Sequence, residues 1–529
     1  MSKLYCTRLH ENLLINSSTN KHIKMPVLFS NLSRLVSALC FACFLAASAQ
    51  EAARVDLPPM VSNGMVMQRG RVFPLRGTAG QAFASVAVEW RGERYTAQTD
   101  ADGRFEVCLN AGAAGGPFEL RITAGNPAHR IDSVYVGEVW LASGQSNMEL
   151  TVSETATAAA DLKDAARHPL IHIYNQRARF QPFAVEWSEE ELEEVNRLRY
   201  LRPTRWQQSS AAAIKEFSSI GYHFARVLAD SLHCPVGIIC NAVGGATCEA
   251  WIDSLTLQTN FKEILDDFPD NSLIMEWARK RVAKNCAKAV SQRQLHPYMP
   301  AYLYNCGLRP WKDYALRGVL WYQGESNAQD IATHERLFPL LLQSWRNTLE
   351  TGGEDLPFLF VQLSSISTRP TWPAFRDSQR KLAEANTNVW MSVCSDLGDS
   401  LNVHPTHKRE VGERLAASAL HRVYGFHDVV PSGPMVRAAC LQKDAVAVSF
   451  DYGNGLHPAS GKKIIGFELA GNDGKFYPAS AEARPDGVVL RSPQVPAPTA
   501  VRYGWQPFTH ANLVNAAGLP ASTFACEVK

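Results

Sequence analysis

The chain has 529 residues, 46% of them hydrophobic, 20% charged and 9% aromatic, with a formal net charge of +2. That is a globular composition on a chain too long for one ordinary core, so two or three domains are expected. Acidic and basic residues are interspersed, which argues against a nucleic-acid-binding stripe and puts partner choice in a site rather than in bulk charge.

The first fifty residues read as a targeting segment. Arg34 precedes the apolar run Leu35 to Ala47, and Ala47-Ser48-Ala49 is a small-x-small cleavage site ahead of Gln50. The run falls short of the roughly 20 apolar residues a membrane helix needs. Residues 1–49 are therefore expected to be a signal peptide with an upstream extension before Met25. The product would be periplasmic or secreted, with no membrane span. No cysteine stands at the cleavage point, which argues against a lipoprotein. Of the 12 cysteines, Cys6, Cys40 and Cys43 fall in this leader. The rest are scattered, odd in number and without a CxxC pair, so mostly free, buried thiols are expected and a zinc site is not supported.

Residues 50–135 carry short β-rich runs, Val86 to Trp90, Arg104 to Leu109 and Phe118 to Thr123. The turn signals Asp100-Ala101-Asp102-Gly103 and Gly115-Gly116-Pro117 separate them, and a small β-sandwich is predicted. From 136 to 424 strands and helices alternate. Tyr135 to Ala142, Val236 to Cys240, Gly318 to Trp321, Phe358 to Leu363 and Val389 to Val393 are nearly continuous apolar runs. Phe217 to Leu232 has helical spacing, and a charged helical insertion is expected near 255–300. This pattern predicts an α/β domain on a parallel sheet, with a site at the carboxyl ends of its strands. Residues 425–529 turn β-rich again, with strands at Ala445 to Phe450 and Gly487 to Leu490.

Four loops carry candidate reactive residues, each after a predicted strand. Gly144-Gln145-Ser146-Asn147-Met148 puts a serine where its hydroxyl faces the crevice and its N–H faces an oxyanion, although a serine there also serves as a helix N-cap. Asn241-Ala242-Val243-Gly244-Gly245-Ala246 exposes backbone N–H groups, or is an ordinary tight turn. Trp321 to Asn327 offers the neutral amides Gln323 and Asn327, or a polar loop satisfying itself. Asn402-Val403-His404-Pro405 hangs a histidine ahead of a helical run from Lys408 to Leu420.

The order and wording of these blocks resemble the SGNH/GDSL hydrolases, and more narrowly the sialate O-acetylesterase family. The matching text is Gly137 to Glu149, Gly244-Gly245 with Glu249-Ala250-Trp251, Trp321 to Asn327, and His404-Pro405. Asn63 to Gln68, Arg502 to Trp505 and Gly518 to Ala521 extend it along nearly the whole mature chain. The resemblance implies a flavodoxin-like core hydrolysing O-acetyl esters on sugars, with sialic acid as first choice and acetylated xylan as the alternative, and with no cofactor or metal. It implies Ser146 as nucleophile, His404 as base, and Ser146, Gly245 and either Gln323 or Asn327 as oxyanion donors. Two departures stand out. Ala246 replaces a usual threonine, and Asn402 stands where the family pattern has aspartate. Asp399 is then expected to orient His404, with Asp396, Asn402 or a plain Ser-His dyad as alternatives. The rival from another class is a non-catalytic glycan-binding protein on a decayed hydrolase core.

Overall fold

The unbroken apolar runs become strands whose side chains alternate between two hydrophobic cores. In His129–Gly144, Val139 and Leu141 enter one core, Trp140 and Ala142 the other. Gly318–Tyr322 divides the same way, as does Phe358–Val361. Strands covered on both faces have no solvated side, hence no polar alternation in the sequence. Helix Ile331–Thr348 covers one face through Leu337, Phe338, Leu341 and Trp345. Helices Ser219–Leu232 and Arg409–Arg422 cover the other through Phe224, Leu228, Leu415 and Ala419.

This computed structural model describes residues 55–529 apart from Asn126, Ala184, Gln292, 350–354 and Asp486. The expected leader lies outside the described residues. The fold is α/β with a mixed sheet. Its main strands run in the order Val389–Ser392, Phe358–Val361, Gly318–Tyr322, His129–Gly144, Val236–Cys240, Ile171–Asn175, Gln207–Gln208. All these neighbours are parallel except the last pair.

The boundary expected at 135/136 falls inside one strand, His129–Gly144. Its first half pairs antiparallel with Gly115–Thr123, which with Ser85–Trp90 and Glu93–Gln98 makes an N-terminal β layer. Val72–Thr78 and Arg104–Asn110 form a second antiparallel pair. The 255–300 segment is only partly helical, with Ser254–Asn260 and Glu276–Asn285 separated by turns.

Two four-stranded antiparallel sheets follow residue 434. Arg376 of helix Trp372–Ala385 is fully buried and donates to the carbonyls of Gly504, Gln506 and Pro507 and to Thr523 Oγ1. Gln362 Nε2 adds a bond to Ser522 Oγ at 3.2 Å. These contacts fasten the C-terminal strands to the α/β core beside the strand ends. The nine described cysteines are all free: Cys234, Cys240, Cys248, Cys306 and Cys394 are buried, whereas Cys108 and Cys440 are exposed.

Candidate active site

Four loops leave the carboxyl ends of parallel strands of one sheet, three of them adjacent, and meet over His129–Gly144, where the strand order reverses. The turn after that strand depends on Gly144, at φ +127°, because a methyl group there would run into the backbone of Tyr322. Gln145 N–H donates to Tyr322 O at 2.9 Å, and Ser146 then opens the short helix Ser146–Glu149.

Ser146 Oγ lies 2.7 Å from His404 Nε2, across 258 residues of sequence. The hydroxyl is therefore within proton-transfer reach of a ring nitrogen. Burial, and then the nearby Lys408 cation, hold the His404 pKa below its ordinary 6.5, with Glu154 opposing. Near neutral pH the ring is unprotonated and able to accept the serine proton.

The acids expected beside the histidine are engaged elsewhere. Asp399 is exposed, and its Oδ1 accepts from the backbone N–H groups of Leu401 and Asn402, both at 2.8 Å. Those bonds hold its pKa below the usual carboxylate value. Asp396 forms a bidentate pair with Arg414 at 2.7 and 2.6 Å. Asn402 Oδ1 accepts from the backbone N–H of His404 at 2.9 Å, not from its ring. Asp399 and Asn402 thus shape the loop as Asx turns. Among the described residues, His404 Nδ1 has no hydrogen-bond partner.

Gly244 and Gly245 stand beside the nucleophile, where a methyl on Gly244 would be 3.8 Å from Ser146 Cβ. Gly245 has φ +72°, and a methyl there would strike the Tyr298 hydroxyl. The carbonyls of this loop are tied back, Gly244 O by Tyr298 OH at 3.0 Å and Gly245 O by Ser326 Oγ at 3.2 Å. Among the described residues the N–H groups of Ser146 and Gly245 have no intramolecular acceptor, and both are available to an oxyanion.

Gln323 and Asn327 are buried and bonded to each other rather than to the Ser146 loop. Gln323 Nε2 donates to Asn327 Oδ1 at 2.6 Å and to Ala246 O at 3.3 Å, while Asn327 Nδ2 donates to Glu249 Oε2 at 3.1 Å. Asn327 Oδ1 also takes the N–H of Cys248 at 3.0 Å. The pair clamps the backbone that follows Gly245.

Several residues at the site were not singled out from the sequence, and Trp277, Arg281, Gln181 and Lys408 lie outside every motif block. Trp277, half-buried, donates through Nε1 to Ser326 O at 3.4 Å, and its ring would lie 3.3 Å from a methyl on Gly245. Arg281 stands 5.9 Å over that ring. Glu149, its pKa raised by burial, accepts from Gln181 Nε2 at 3.2 Å. Beneath the nucleophile, Asn147, Glu325 and Lys408 form a buried polar network. Helical periodicity would have flagged none of these, although Glu325 and Asn147 lie inside the first and third blocks. Among the described residues no group of three or more His, Cys, Asp or Glu side chains is arranged to hold a metal.

Comparison with known proteins adds to this geometry. A family model described as carbohydrate esterase, sialic acid-specific acetylesterase, matches residues 274–421. The sialate O-acetylesterase of Mus musculus is 28% identical over 416 residues, covering 71% of this chain and 74% of its own. The Homo sapiens enzyme is 28% identical over 407 residues, covering 71% and 72%. A solved carbohydrate acetylesterase from Xanthomonas citri superposes with a TM-score of 0.74 at 32% identity, over 89% of this chain and 99% of that one.

Proposed function

We propose that this chain, which belongs to the sialic acid-specific acetylesterase family of carbohydrate esterases, works as a serine esterase through a Ser146–His404 pair. It is a carboxylic ester hydrolase, and the observation that carries the reading is the 2.7 Å contact between Ser146 Oγ and His404 Nε2. His404 takes the serine proton as Oγ attacks the acetyl carbonyl, and the N–H groups of Ser146 and Gly245 hold the oxyanion. His404 then protonates the departing sugar oxygen, and a water activated by the same ring clears the acetyl-enzyme. Gln323 and Asn327 contribute by holding the Gly245 loop, and Asp399 by holding the loop that carries His404. With the edge strands Ile171–Asn175 and Gln207–Gln208 set aside, the strand order is 2-1-3-4-5 counted along the chain. That order supports a flavodoxin-like SGNH core.

For the substrate we favour an O-acetylated sialic acid. The half-buried face of Trp277 suits a sugar ring, and Arg281 beside it suits a sugar carboxylate. The Mus musculus and Homo sapiens relatives named above are sialate O-acetylesterases. The pattern over 34–49 supports export to the periplasm or the medium, and among the described residues no helix is long and apolar enough to cross a membrane. Acetate release from O-acetylated sialic acid and from acetyl-xylan, measured side by side, tests the substrate. Higher kcat/KM on the sialic acid is expected, and preference for the xylan would overturn this choice.

A further inference from the structure

The His404 ring is aimed at Ser146 without a carboxylate on its other nitrogen, so something else must fix it. Asn147, adjacent to the nucleophile and 1% exposed, uses every polar atom of its amide. Nδ2 donates to the carbonyl of Val403 at 3.0 Å and to Glu325 Oε1, and Oδ1 accepts from Lys408 Nζ at 2.6 Å. Val403 is bonded directly to His404, and Lys408 is the residue just ahead of helix Arg409–Arg422, on the same loop. Lys408 is itself 1% exposed, with its ammonium 5.5 Å from the centre of the Tyr322 ring. The nucleophile turn, the third loop and the histidine loop are thereby joined through one amide.

We propose that Asn147, Glu325 and Lys408 form a positioning unit that holds His404 on Ser146, taking over the orienting task that an aspartate performs in a Ser-His-Asp triad. The proposal rests on the Ser146–His404 assignment. The electrostatic consequence is opposite to that of a triad. A neighbouring aspartate favours the imidazolium, whereas a buried ammonium disfavours it. The charged groups acting on His404 are Lys408 and Glu154. The titratable groups facing Lys408 are Glu325, whose pKa burial raises, and the Cys394 thiol, which burial pushes up to about 12 and keeps neutral; burial also keeps the Tyr322 hydroxyl neutral. Burial lowers the Lys408 pKa to about 8, which still leaves it cationic at neutral pH.

The test uses the full chain with p-nitrophenyl acetate as probe. In Lys408→Met both the cation and the bond to Asn147 are lost. A misaligned base typically costs up to about 10²-fold, so kcat is expected to fall about 10- to 100-fold with KM little changed. The acid limb of kcat/KM moves to higher pH, since removing a cation raises the His404 pKa. Lys408→Gln keeps a donor for Asn147 Oδ1 without the charge. It should recover much of kcat while its acid limb stays shifted. If the methionine variant fails to fold, the glutamine variant still carries the pH measurement. Wild-type kcat with an unmoved acid limb in Lys408→Met would overturn the proposal. So would equal loss in both variants with no shift of the limb, which is the mark of a merely structural lysine. Ser146→Ala, measured alongside, reports separately on the underlying assignment: if it keeps activity, the nucleophile is wrong.

Discussion

Gly245 shows how one residue couples backbone conformation to chemistry. Its φ of +72° and the Tyr298 hydroxyl in the way of a Cβ leave no room for a side chain, and among the described residues its N–H, like that of Ser146, has no intramolecular acceptor. Gly245→Ala must twist or move this peptide, and losing one oxyanion donor typically costs 10²–10³ in rate. A fall in kcat of about 10²-fold, with KM little changed, is therefore expected from steady-state kinetics on an aryl acetate. A variant within twofold of wild type would show that this N–H is not a donor. The residues of Ser146, Gly245 and His404 were legible because each follows an apolar strand whose end fixes its place. Asp399 was not legible in its role. An aspartate just ahead of a histidine has the same signature whether it orients the ring or, as here, caps two backbone N–H groups. Likewise Gln323 and Asn327 are amides in the expected loop, but only the fold reveals that they bond to each other. The Lys408–Asn147 contact spans 261 residues, a distance no local pattern reports.

At the scale of elements, the strand His129–Gly144 explains why a boundary was expected at 135/136, where one strand runs through. Its early residues mix exposed and buried positions, while every residue from Val136 onward is buried. The change of texture marks passage from a half-solvated antiparallel layer into a sheet covered on both faces, not the end of a strand. Hydrophobic pattern reports environment, and chain continuity has to come from the fold. The insertion after the second block was legible as charged and helical, but not as part of the site. Helix Glu276–Asn285 brings Trp277 against Ser326 and Gly245. If that ring is a platform for sugar, Trp277→Ala should raise KM on a sugar acetate about fivefold, corresponding to roughly 1 kcal/mol of aromatic contact. The increase should be smaller on an aryl acetate without a sugar. Equal increases on both esters would make Trp277 a support for the loop and not a substrate contact.

Over the whole molecule, the α/β class, the five apolar strands and the β-rich flanks follow from the sequence because each is a statement about which faces are buried. How the parts are joined does not follow from it. Arg376, a fully buried cation answered by carbonyls of residues 504–507, fastens the C-terminal strands to helix Trp372–Ala385. An arginine inside an amphipathic helix gives no hint of such a role. The assembled picture is of a rigid sheet whose strand ends, clamped from below by Asn147 and from the side by Gln323 and Asn327, present one hydroxyl to one imidazole. In the function proposed above, this hydroxyl is the nucleophile. The most direct test of that role is acetate release from O-acetylated sialic acid and from p-nitrophenyl acetate by the wild-type chain and by Ser146→Ala, with circular dichroism to establish that the fold is unchanged. Wild type should release acetate from both, and a folded Ser146→Ala should lose at least about 10³-fold on each, in line with losing the nucleophile of a serine hydrolase. A folded variant that keeps the wild-type rate would contradict the account.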